Sequence, residues 1–534
     1  MSEVKRDELD DDRPPYRAFF SNNKSTDIVL KVVFNIFSFV LIVVFIAWIN
    51  TLRNRPRRRR SVESIAVRDF AALFESGSIS KLSSVSKFAD DYSILSSNIG
   101  SRIVVVVSEW AKIEKSKDDL KLRKYFTKCP NSFCSEWQGL IFSDPFSAEH
   151  SRLREFFDFA SETICTNLFV AASTRATDHF LKVLPSKFIL TDESIGRLAL
   201  QILFQSTLHH EIEEKSSCEI LLKLDELSRG LLTLHTTGML PKPFQSIGVK
   251  WITEGVNQLL QPFIIYHLDR SRNVPPKTLL SHILGSKQKL SLSGIKSDDI
   301  EGFLTTSHIS HLVFEYLFIG YHSLLPCLRI ILDVLNNRSI WAQQLVEDLT
   351  KHRRSCSFIC SKHTADLKED CLELDSGCLP FCKDLCLEAL RFVVSGWPLG
   401  CIRESYRDGG GYLAGDLVLF NEPAVFHDES IWFPQKVCNV GTGVHPFLPF
   451  DRHGCKTSNY LTYRVLLNSK VGFVPRFHIY RILLATIVNL FTKCSIKTVS
   501  ASDNAVVDEF ASLPLYLPMV AQFSSSIELH KKDL

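Results

Sequence analysis

A long apolar segment near the middle of the chain, residues 308–335, most limits what this protein can fold into. Its apolar residues recur at helical spacing and cover nearly the whole circumference of the predicted helix. Because a helix that is apolar all round must be buried, the pattern predicts a helix through the middle of a large domain. The chain is long enough for such a domain, since it has 534 residues, of which 45% are hydrophobic.

The middle of this helix carries Gly320-Tyr321-His322-Ser323, and Pro326 follows closely. Proline lacks the backbone N–H and should bend the helix there. His322 and Ser323 can both relay protons, and a histidine titrates near neutral pH. A buried histidine that is hydrogen-bonded to a backbone carbonyl explains His322 equally well, so both interpretations stay open.

Glu388 and Arg391 are three residues apart in another helical pattern, which puts both side chains on one face. An exposed pair at this spacing adds only about 0.2–0.5 kcal/mol, whereas a buried pair would tie the core together. Residues 476–491 have a further long apolar pattern of helical spacing. The sequence therefore predicts two more helices, one of which carries a charged pair.

His150 and Arg154 are four residues apart in a segment that begins a predicted helix. This spacing puts them on one helix face, and both side chains can donate hydrogen bonds to a carboxylate. The alternative is an amphipathic helix whose arginine is solvated. The residues alone favour that alternative.

Other short patterns predict one more helix and two strands. Residues 82–92 have helical periodicity, and the β-branched run 103–107 is apolar on both faces, as in a buried strand. Residues 415–420 read as a strand after a glycine turn. A mainly helical domain with small β-sheets is expected.

Fifteen cysteines are scattered along the chain. The N-terminal region lacks the pattern of a cleavable secretory signal, so reduced thiols are favoured over a disulfide framework. Six cysteines crowd between Cys356 and Cys386, which raises the alternative of a zinc site. Cys378, Cys382 and Cys386 recur every four residues, however, and this spacing indicates one helix face rather than a zinc knuckle.

The N-terminal region predicts a single membrane anchor. Residues 1–27 are polar and acid-rich, which is typical of a disordered tail. Residues 28–49 are almost wholly apolar, and about 22 helical residues reach about 33 Å, enough to cross a bilayer core of about 30 Å. A buried core helix is the alternative, but an arginine run should not abut a core helix.

That arginine run lies in the basic linker, residues 50–64. By the positive-inside rule it places the large domain, residues 65–534, in the cytosol and residues 1–27 in the lumen. The arginines can also bind anionic headgroups or simply be solvated. No later segment has the uninterrupted apolar length of a second span. The net charge of +3 gives no electrostatic reason to expect a nucleic-acid partner.

Taken in order, these segments resemble the cytochrome P-450 family of haem-thiolate monooxygenases. The resemblance covers most of residues 80–520 and depends on the collinear order of the segments. It is strongest over residues 379–432 and 476–491. It implies a P-450-like fold, mainly α with small β-sheets (α+β), behind one N-terminal transmembrane helix.

The resemblance also implies roles for single residues. His322 and Ser323 stand at the acid and threonine positions of the family's central helix, where the catalytic proton donors lie. Glu388 and Arg391 stand at the buried Glu-x-x-Arg pair. No arginine occurs between Arg407 and Arg452 to supply the third member that the family adds to this pair.

On the cofactor side, His150 and Arg154 stand where the family has a tryptophan and an arginine that hold a haem propionate. Counting forward from Phe450 makes Cys455 the iron ligand and puts His453 in place of a second propionate arginine. Counting back from residues 476–484 puts Gly472 at the ligand position and leaves no thiolate. A loop absorbs extra residues at little entropic cost, so length leaves both alignments open. Cys455 is preferred because it follows the apolar lead-in.

The implied function is a membrane-anchored monooxygenase of the endoplasmic reticulum. It would bind haem b through a cysteine thiolate, take electrons from an NADPH-dependent reductase and oxidise a lipophilic substrate such as a lipid, sterol or xenobiotic. The histidines and serine that replace the family's usual residues support an alternative, a P-450-like binding or scaffold protein that has lost oxygen activation. A third alternative is a membrane-tethered helical adaptor unrelated to haem.

Overall fold

The computed structural model describes a subset of the residues, and these define the fold. These are residues 38, 41, 44–45, 94–99, 102–107, 126–127, 138–140, 148–162, 166–210, 212, 219–220, 242–270, 278–283, 305–337, 339–359, 377–392, 399–402, 417–420, 470–471, 474–496 and 527–532. The chain divides into two units, Met1–Arg59 and Arg60–Leu534, and the architecture below is that of the second.

Several predicted segments lie outside the described residues or nearly so. The tail 1–27, the linker 50–64 and the helix 82–92 are outside them, and only four positions of the anchor 28–49 are described. The domain boundaries and the anchor therefore stay predictions.

The described residues form eight long helices. In chain order they are α1 Ala148–Glu162, α2 Thr166–Val183, α3 Asp192–Leu208, α4 Lys242–Arg270, α5 Thr306–Asn337, α6 Ser339–Ile359, α7 Pro380–Phe392 and α8 Arg476–Lys493. The predicted helices at 308–335 and 476–491 are confirmed as α5 and α8. The helix predicted around Glu388 is α7.

α5 is the central helix of the domain. It packs against α3, α4, α6, α7 and α8, and it continues as a helix through Pro326. By length and composition it is also the one helix in the described part of the chain that could cross a membrane, but 89% of its apolar window is buried inside the protein. The predicted core position of this helix is therefore confirmed.

Local sequence explains where two of the helices begin. Thr191 caps α3, because its hydroxyl accepts from the Ser194 N–H at 3.2 Å while the Ser194 hydroxyl accepts from the Thr191 N–H at 2.8 Å. α7 begins at Pro380, where the missing proline N–H costs nothing because a first-turn N–H has no helical partner. Asp348 of α6 accepts the N–H of Cys382 in that first turn at 3.0 Å.

α2, α3, α5 and α8 form the packed centre of the domain, with α8 lying along α2 and α3 lying between α2 and α5. The Asn489 amide donates to the Thr174 hydroxyl at 2.9 Å, and Lys493 pairs with Asp178. These contacts join the C-terminal part of α8 to the second half of α2.

A five-stranded sheet has the order β1-β2-β6-β5-β3. Its strands are β1 Ile94–Ile99, β2 Arg102–Val107, β3 Phe126–Thr127, β5 Leu399–Ile402 and β6 Leu417–Phe420. The predicted strands 103–107 and 415–420 are confirmed as β2 and β6. They pair in parallel, with Val104 opposite Leu417, and the other pairs are antiparallel.

Two smaller sheets complete the described β-structure. β4 Lys187–Leu190 and β9 Cys494–Ile496 both pair with β10 Ile527–Lys531 in an antiparallel sheet of order β4-β10-β9. β7 Lys470–Val471 and β8 Val474–Pro475 pair immediately before α8. The expected class, mainly helical with small β-sheets, is confirmed.

Candidate functional site

The middle of α5 approaches α3 closely at Gly320. A Cβ atom built on Gly320 would lie 2.8 Å from Cδ2 of Leu203, which is fully buried on α3. A side chain at position 320 would therefore force Leu203 to move. Glycine here lets the central helix pack tightly on its neighbour.

His322 and Ser323 follow Gly320 by two and three residues, within one turn of α5. The His322 ring is partly buried and makes edge contacts with Phe318 and Tyr321, at centroid distances of 4.8 Å and 5.3 Å. Burial lowers the pKa of His322 to about 3, so the imidazole is neutral at physiological pH. A neutral imidazole can donate one hydrogen bond through its N–H and accept one at its other nitrogen.

Ser323 is buried, and its Oγ has no hydrogen-bond partner within the described ranges. Because Pro326 has no N–H, the carbonyl oxygen of His322 also receives no helical hydrogen bond from that position. This part of α5 therefore combines a neutral imidazole with an unsatisfied hydroxyl inside the domain. Such polar groups are costly to bury and often mark a functional position.

His150 and Arg154 both lie on α1, but they have separate partners. His150 is 7% exposed, and its Nε2 lies 3.0 Å from the carbonyl oxygen of Leu140, to which it donates. The Arg154 side chain is 37% exposed and pairs with Asp158 at 3.9 Å. The predicted position of the two residues on one helix is right. The described contact of His150 is a hydrogen bond, and that of Arg154 is an ion pair.

The segment 138–140 lies against α5 as well as α1. The Gln138 N–H donates to Nδ1 of His311 at 3.0 Å, and the Leu140 N–H donates to Oε2 of Glu315 at 2.7 Å. His311 and Glu315 are both fully buried. Burial, and secondarily the nearby His308, lowers the pKa of His311 to about 4, so its Nδ1 remains an acceptor.

His308 ties the beginnings of α1 and α5 together. Its Nε2 lies 2.8 Å from Oε1 of Glu149, in the first turn of α1, and its Nδ1 lies 2.7 Å from the Thr305 hydroxyl. His308, His311 and Glu315 were not predicted as site residues. A signal was present, however, since these three polar residues recur at spacings of three and four on an otherwise apolar helix.

Glu388 and Arg391 form a two-point ion pair inside the domain. Nε of Arg391 donates to Oε2 of Glu388 at 2.8 Å, and Nη2 donates to Oε1. Each side chain is 1% exposed. Two parallel charge-assisted hydrogen bonds suit a buried carboxylate, so this pair belongs to the core rather than the surface.

Three thiols lie buried where α5 meets α7. Cys327 donates to the carbonyl oxygen of Ala389 at a donor–acceptor distance of 3.8 Å. Burial raises the pKa of Cys327 and that of Cys386, beside which Cys382 lies. The thiols of Cys327 and Cys386 are therefore protonated. Within the described residues, no group of three or more His, Cys, Asp or Glu side chains could hold a metal ion.

α5 and α8 touch directly through Tyr316 and His478. The Tyr316 hydroxyl lies 3.4 Å from Nδ1 of His478, and the His478 ring also packs on Phe169 at 4.8 Å. Burial raises the pKa of Tyr316, so the phenol stays protonated. This contact fixes the start of α8 against the central helix.

Cys455 and His453, which were predicted to be the iron ligand and a propionate donor, lie outside the described residues. What is described just before α8 is the pair β7 and β8. The sequence has no cysteine between Cys455 and Cys494, which follows α8. A thiolate on the approach to α8 can therefore come only from Cys455 or from residues before it.

On the α1 side, His150 and Arg154 have described contacts other than those expected for holding a haem propionate. The proton of His150 Nε2 is already donated to a backbone carbonyl, and Arg154 is turned to Asp158. A propionate held by both residues would need two donors aimed at one carboxylate. The described contacts of His150 and Arg154 differ from that arrangement, and their role as propionate donors stays a prediction.

No protein-family model matches the chain, and no curated protein matches it. Solved structures of a zebrafish cytochrome P-450 do. The structure with abiraterone has a TM-score of 0.56 and 13% sequence identity, and the match covers 85% of this chain and 98% of that one. The structure with progesterone has a TM-score of 0.55 and 13% identity, with 85% and 99% covered. At this identity the likeness is one of fold, and the chain has a cytochrome P-450-like fold.

Proposed function

We propose that this chain is a P-450-type monooxygenase that oxidises a lipophilic substrate, such as a lipid, sterol or xenobiotic. The observation that supports this most is the P-450-like fold together with the buried pair of Glu388 and Arg391 on α7. A buried ion pair is expensive to keep unless its geometry is good, so its presence at the position of the family's pair supports a shared core.

In this proposal Cys455 is the iron ligand, and His453 is the donor to a haem propionate. The cofactor would be haem b, whose thiolate-ligated iron supplies the oxygen chemistry of this family. His322 and Ser323 are the proposed proton donors on α5. Because burial lowers the pKa of His322 to about 3, its neutral ring would act as a relay that passes on its N–H proton while its other nitrogen accepts one. The Ser323 hydroxyl has hydrogen-bonding capacity left among the described residues.

The proposed setting is the endoplasmic reticulum membrane. The apolar segment 28–49 would anchor the chain, and the arginines after it would keep the large domain in the cytosol. An NADPH-dependent reductase in the same membrane would supply electrons. These parts of the proposal come from the N-terminal sequence and from the family resemblance.

The test is the absorption spectrum of the purified protein. Reduced protein exposed to carbon monoxide is expected to show the strongly red-shifted haem band of a thiolate ligand. Cys455→Ser should abolish that band, and Cys378→Ser, which changes a half-buried thiol before α7, should keep it. Haem that binds equally well in the wild type and in Cys455→Ser, without the band in either, would contradict the proposal.

A second candidate is a P-450-like binding protein without oxygen activation. Two observations favour it: His150 is committed to the Leu140 carbonyl, and no cysteine lies between Cys455 and α8. Such a protein would be colourless as purified and would take up no hemin. A stoichiometric haem content in the purified protein would exclude it.

A further inference from the structure

Three side chains at the start of α5 form a hydrogen-bonded chain that the proposed function does not use. The Thr305 hydroxyl lies 2.7 Å from Nδ1 of His308, and Nε2 of the same ring lies 2.8 Å from Oε1 of Glu149 on α1. Thr305 and Glu149 are exposed, whereas the His308 side chain is 3% exposed. A buried imidazole therefore lies between an accessible hydroxyl and an accessible carboxylate.

The backbone determines which nitrogen of His308 carries the ring proton. The Thr305 N–H points at Nδ1 at 3.3 Å. Because a backbone N–H only donates, Nδ1 is an acceptor, and the ring proton is on Nε2, which donates it to Glu149. The Thr305 hydroxyl therefore donates to Nδ1. In this arrangement the imidazole can take up the proton of a hydroxyl while a carboxylate orients the ring.

Thr305 is the N-cap residue of α5. Its carbonyl accepts the Ile309 N–H at 3.2 Å, and its Oγ1 accepts the His308 N–H at 3.3 Å. The next two backbone N–H groups, those of Thr306 and Ser307, have no partner within the helix. Such donors beside a hydroxyl can bind the negative oxygen of a tetrahedral intermediate.

Capping alone does not require a histidine and a carboxylate. α3 also begins with a capping box, in which Thr191 and Ser194 exchange hydrogen bonds without a base. The start of α5 differs because the ring at the third position of the box continues to Glu149 on another helix. This additional contact gives the cap of α5 the parts of a nucleophilic site.

We propose that Thr305, His308 and Glu149 form a triad that hydrolyses small, accessible esters, an activity beyond the proposed function. Thr305 Oγ1 attacks the ester carbonyl carbon as its proton passes to Nδ1 of His308. That proton goes to the leaving alcohol when the ester C–O bond breaks, and the acyl group stays on Thr305. Water then loses a proton to Nδ1, attacks the acyl group and releases a carboxylic acid. Glu149 is the positioning residue for the ring.

Reaction of the full-length protein with p-nitrophenyl acetate tests the triad. Wild type is expected to release p-nitrophenol and to carry an acetyl ester on Thr305, which peptide mass spectrometry locates and hydroxylamine removes. Thr191 is the internal control, because it is an exposed cap residue without a neighbouring base. The absence of an ester on Thr305, or an equal amount on Thr191, would overturn the proposal.

Two substitutions keep the cap and remove the chemistry. Thr305→Asn retains a good N-cap without a hydroxyl, and His308→Gln gives an ordinary capping box without a base. Both variants should unfold thermally like wild type. Thr305→Asn should form no ester at position 305, and His308→Gln should acetylate Thr305 about 100-fold more slowly. An acetylation rate in His308→Gln equal to that of wild type would show that the ring is only part of a cap.

Glu149→Gln tests the positioning role. Because Glu149 acts through His308, this variant should lower kcat for ester hydrolysis by about tenfold or more and leave KM nearly unchanged. Glu155→Gln, which changes another exposed carboxylate of α1, should leave both constants as in wild type. An unchanged kcat in Glu149→Gln would overturn its place in the triad. Since no step uses haem, ester hydrolysis and the carbon monoxide spectrum test the two proposals separately.

Discussion

Arg391 lies beside Glu388 one helical turn away, and the two side chains meet through two hydrogen bonds in a part of the domain where each is 1% exposed. Each charge is therefore kept in the core by the other. Removing one of the two charged side chains leaves the other buried and unpaired. This destabilises the folded protein far more than the intact pair stabilises it.

Arg391→Ala is therefore expected to lower the free energy of unfolding by about 3–5 kcal/mol. Urea unfolding followed by circular dichroism measures this loss. The matched control is Arg154→Ala, because the Arg154 pair with Asp158 is partly solvated and should contribute about 0–1 kcal/mol. A change of less than 1 kcal/mol in Arg391→Ala would show that the pair is not essential to the core.

His311 should make the protein less stable in mild acid. Its pKa is lowered to about 4 in the folded state, chiefly by burial, from an ordinary value of 6.5. Between these two values the unfolded chain binds a proton that the folded chain does not, so stability falls as the pH drops below 6.5. From pH 7 to pH 5 this one histidine should account for a loss of about 2 kcal/mol.

His311→Asn separates this titration from the structural contact, because the asparagine oxygen can still accept from Gln138. The variant should lose about 2 kcal/mol less stability than wild type between pH 7 and pH 5, and the two proteins should respond alike between pH 7 and pH 9. Parallel stability curves over the whole range would mean that His311 titrates normally.

Gly320→Ala should destabilise the protein although alanine is the better helix former. The new methyl group would lie 2.8 Å from Cδ2 of Leu203. Overpacking of a buried helix contact costs about 1–3 kcal/mol, against a gain of about 1 kcal/mol in helix propensity. Thermal unfolding measures the net effect.

Two further variants show whether the contact with Leu203 is the cause. In the double variant Gly320→Ala with Leu203→Val, the two changes should partly compensate each other. Gly377→Ala is the control, since nothing lies within 4 Å of a Cβ atom at that position. A stabilised Gly320→Ala would show that α3 and α5 separate at low cost.

If residues 28–49 anchor the chain as predicted, the six arginines that follow should hold the large domain in the cytosol. Asn337-Arg338-Ser339, at the end of α5, would then stay unglycosylated although it fits the acceptor pattern. Protease added to sealed microsomes should digest most of the chain. Protection of the whole domain would mean the opposite orientation.

The sequence alone predicted the elements that have a clear local pattern of apolar residues. α5, α8 and the strand β2 come directly from spacing, and the Glu388–Arg391 pair comes from a three-residue interval. Partners across the fold were not predictable in the same way. Nothing in the sequence pairs β2 with β6, or Leu140 with Glu315, since such contacts depend on how distant segments pack rather than on local pattern.

In the candidate site too, the sequence predicted local positions but not contacts between distant segments. His150 and Arg154 were correctly placed on one helix, but spacing could not reveal that His150 faces a backbone carbonyl 10 residues earlier. Tyr316 and His478, 162 residues apart, were each predicted to lie on an apolar helix, and their contact appears only when α5 and α8 are packed together.

The position of β10 has a consequence for how the protein is made. Among the described strands, β4 pairs only with β10, and Lys531 donates through its Nζ to the Leu184 carbonyl across 347 residues of sequence. During translation, β4 therefore presents an open edge until that far later segment has left the ribosome, because synthesis delivers N-terminal elements first. An open strand edge is an aggregation hazard, so prematurely terminated chains should depend heavily on chaperones.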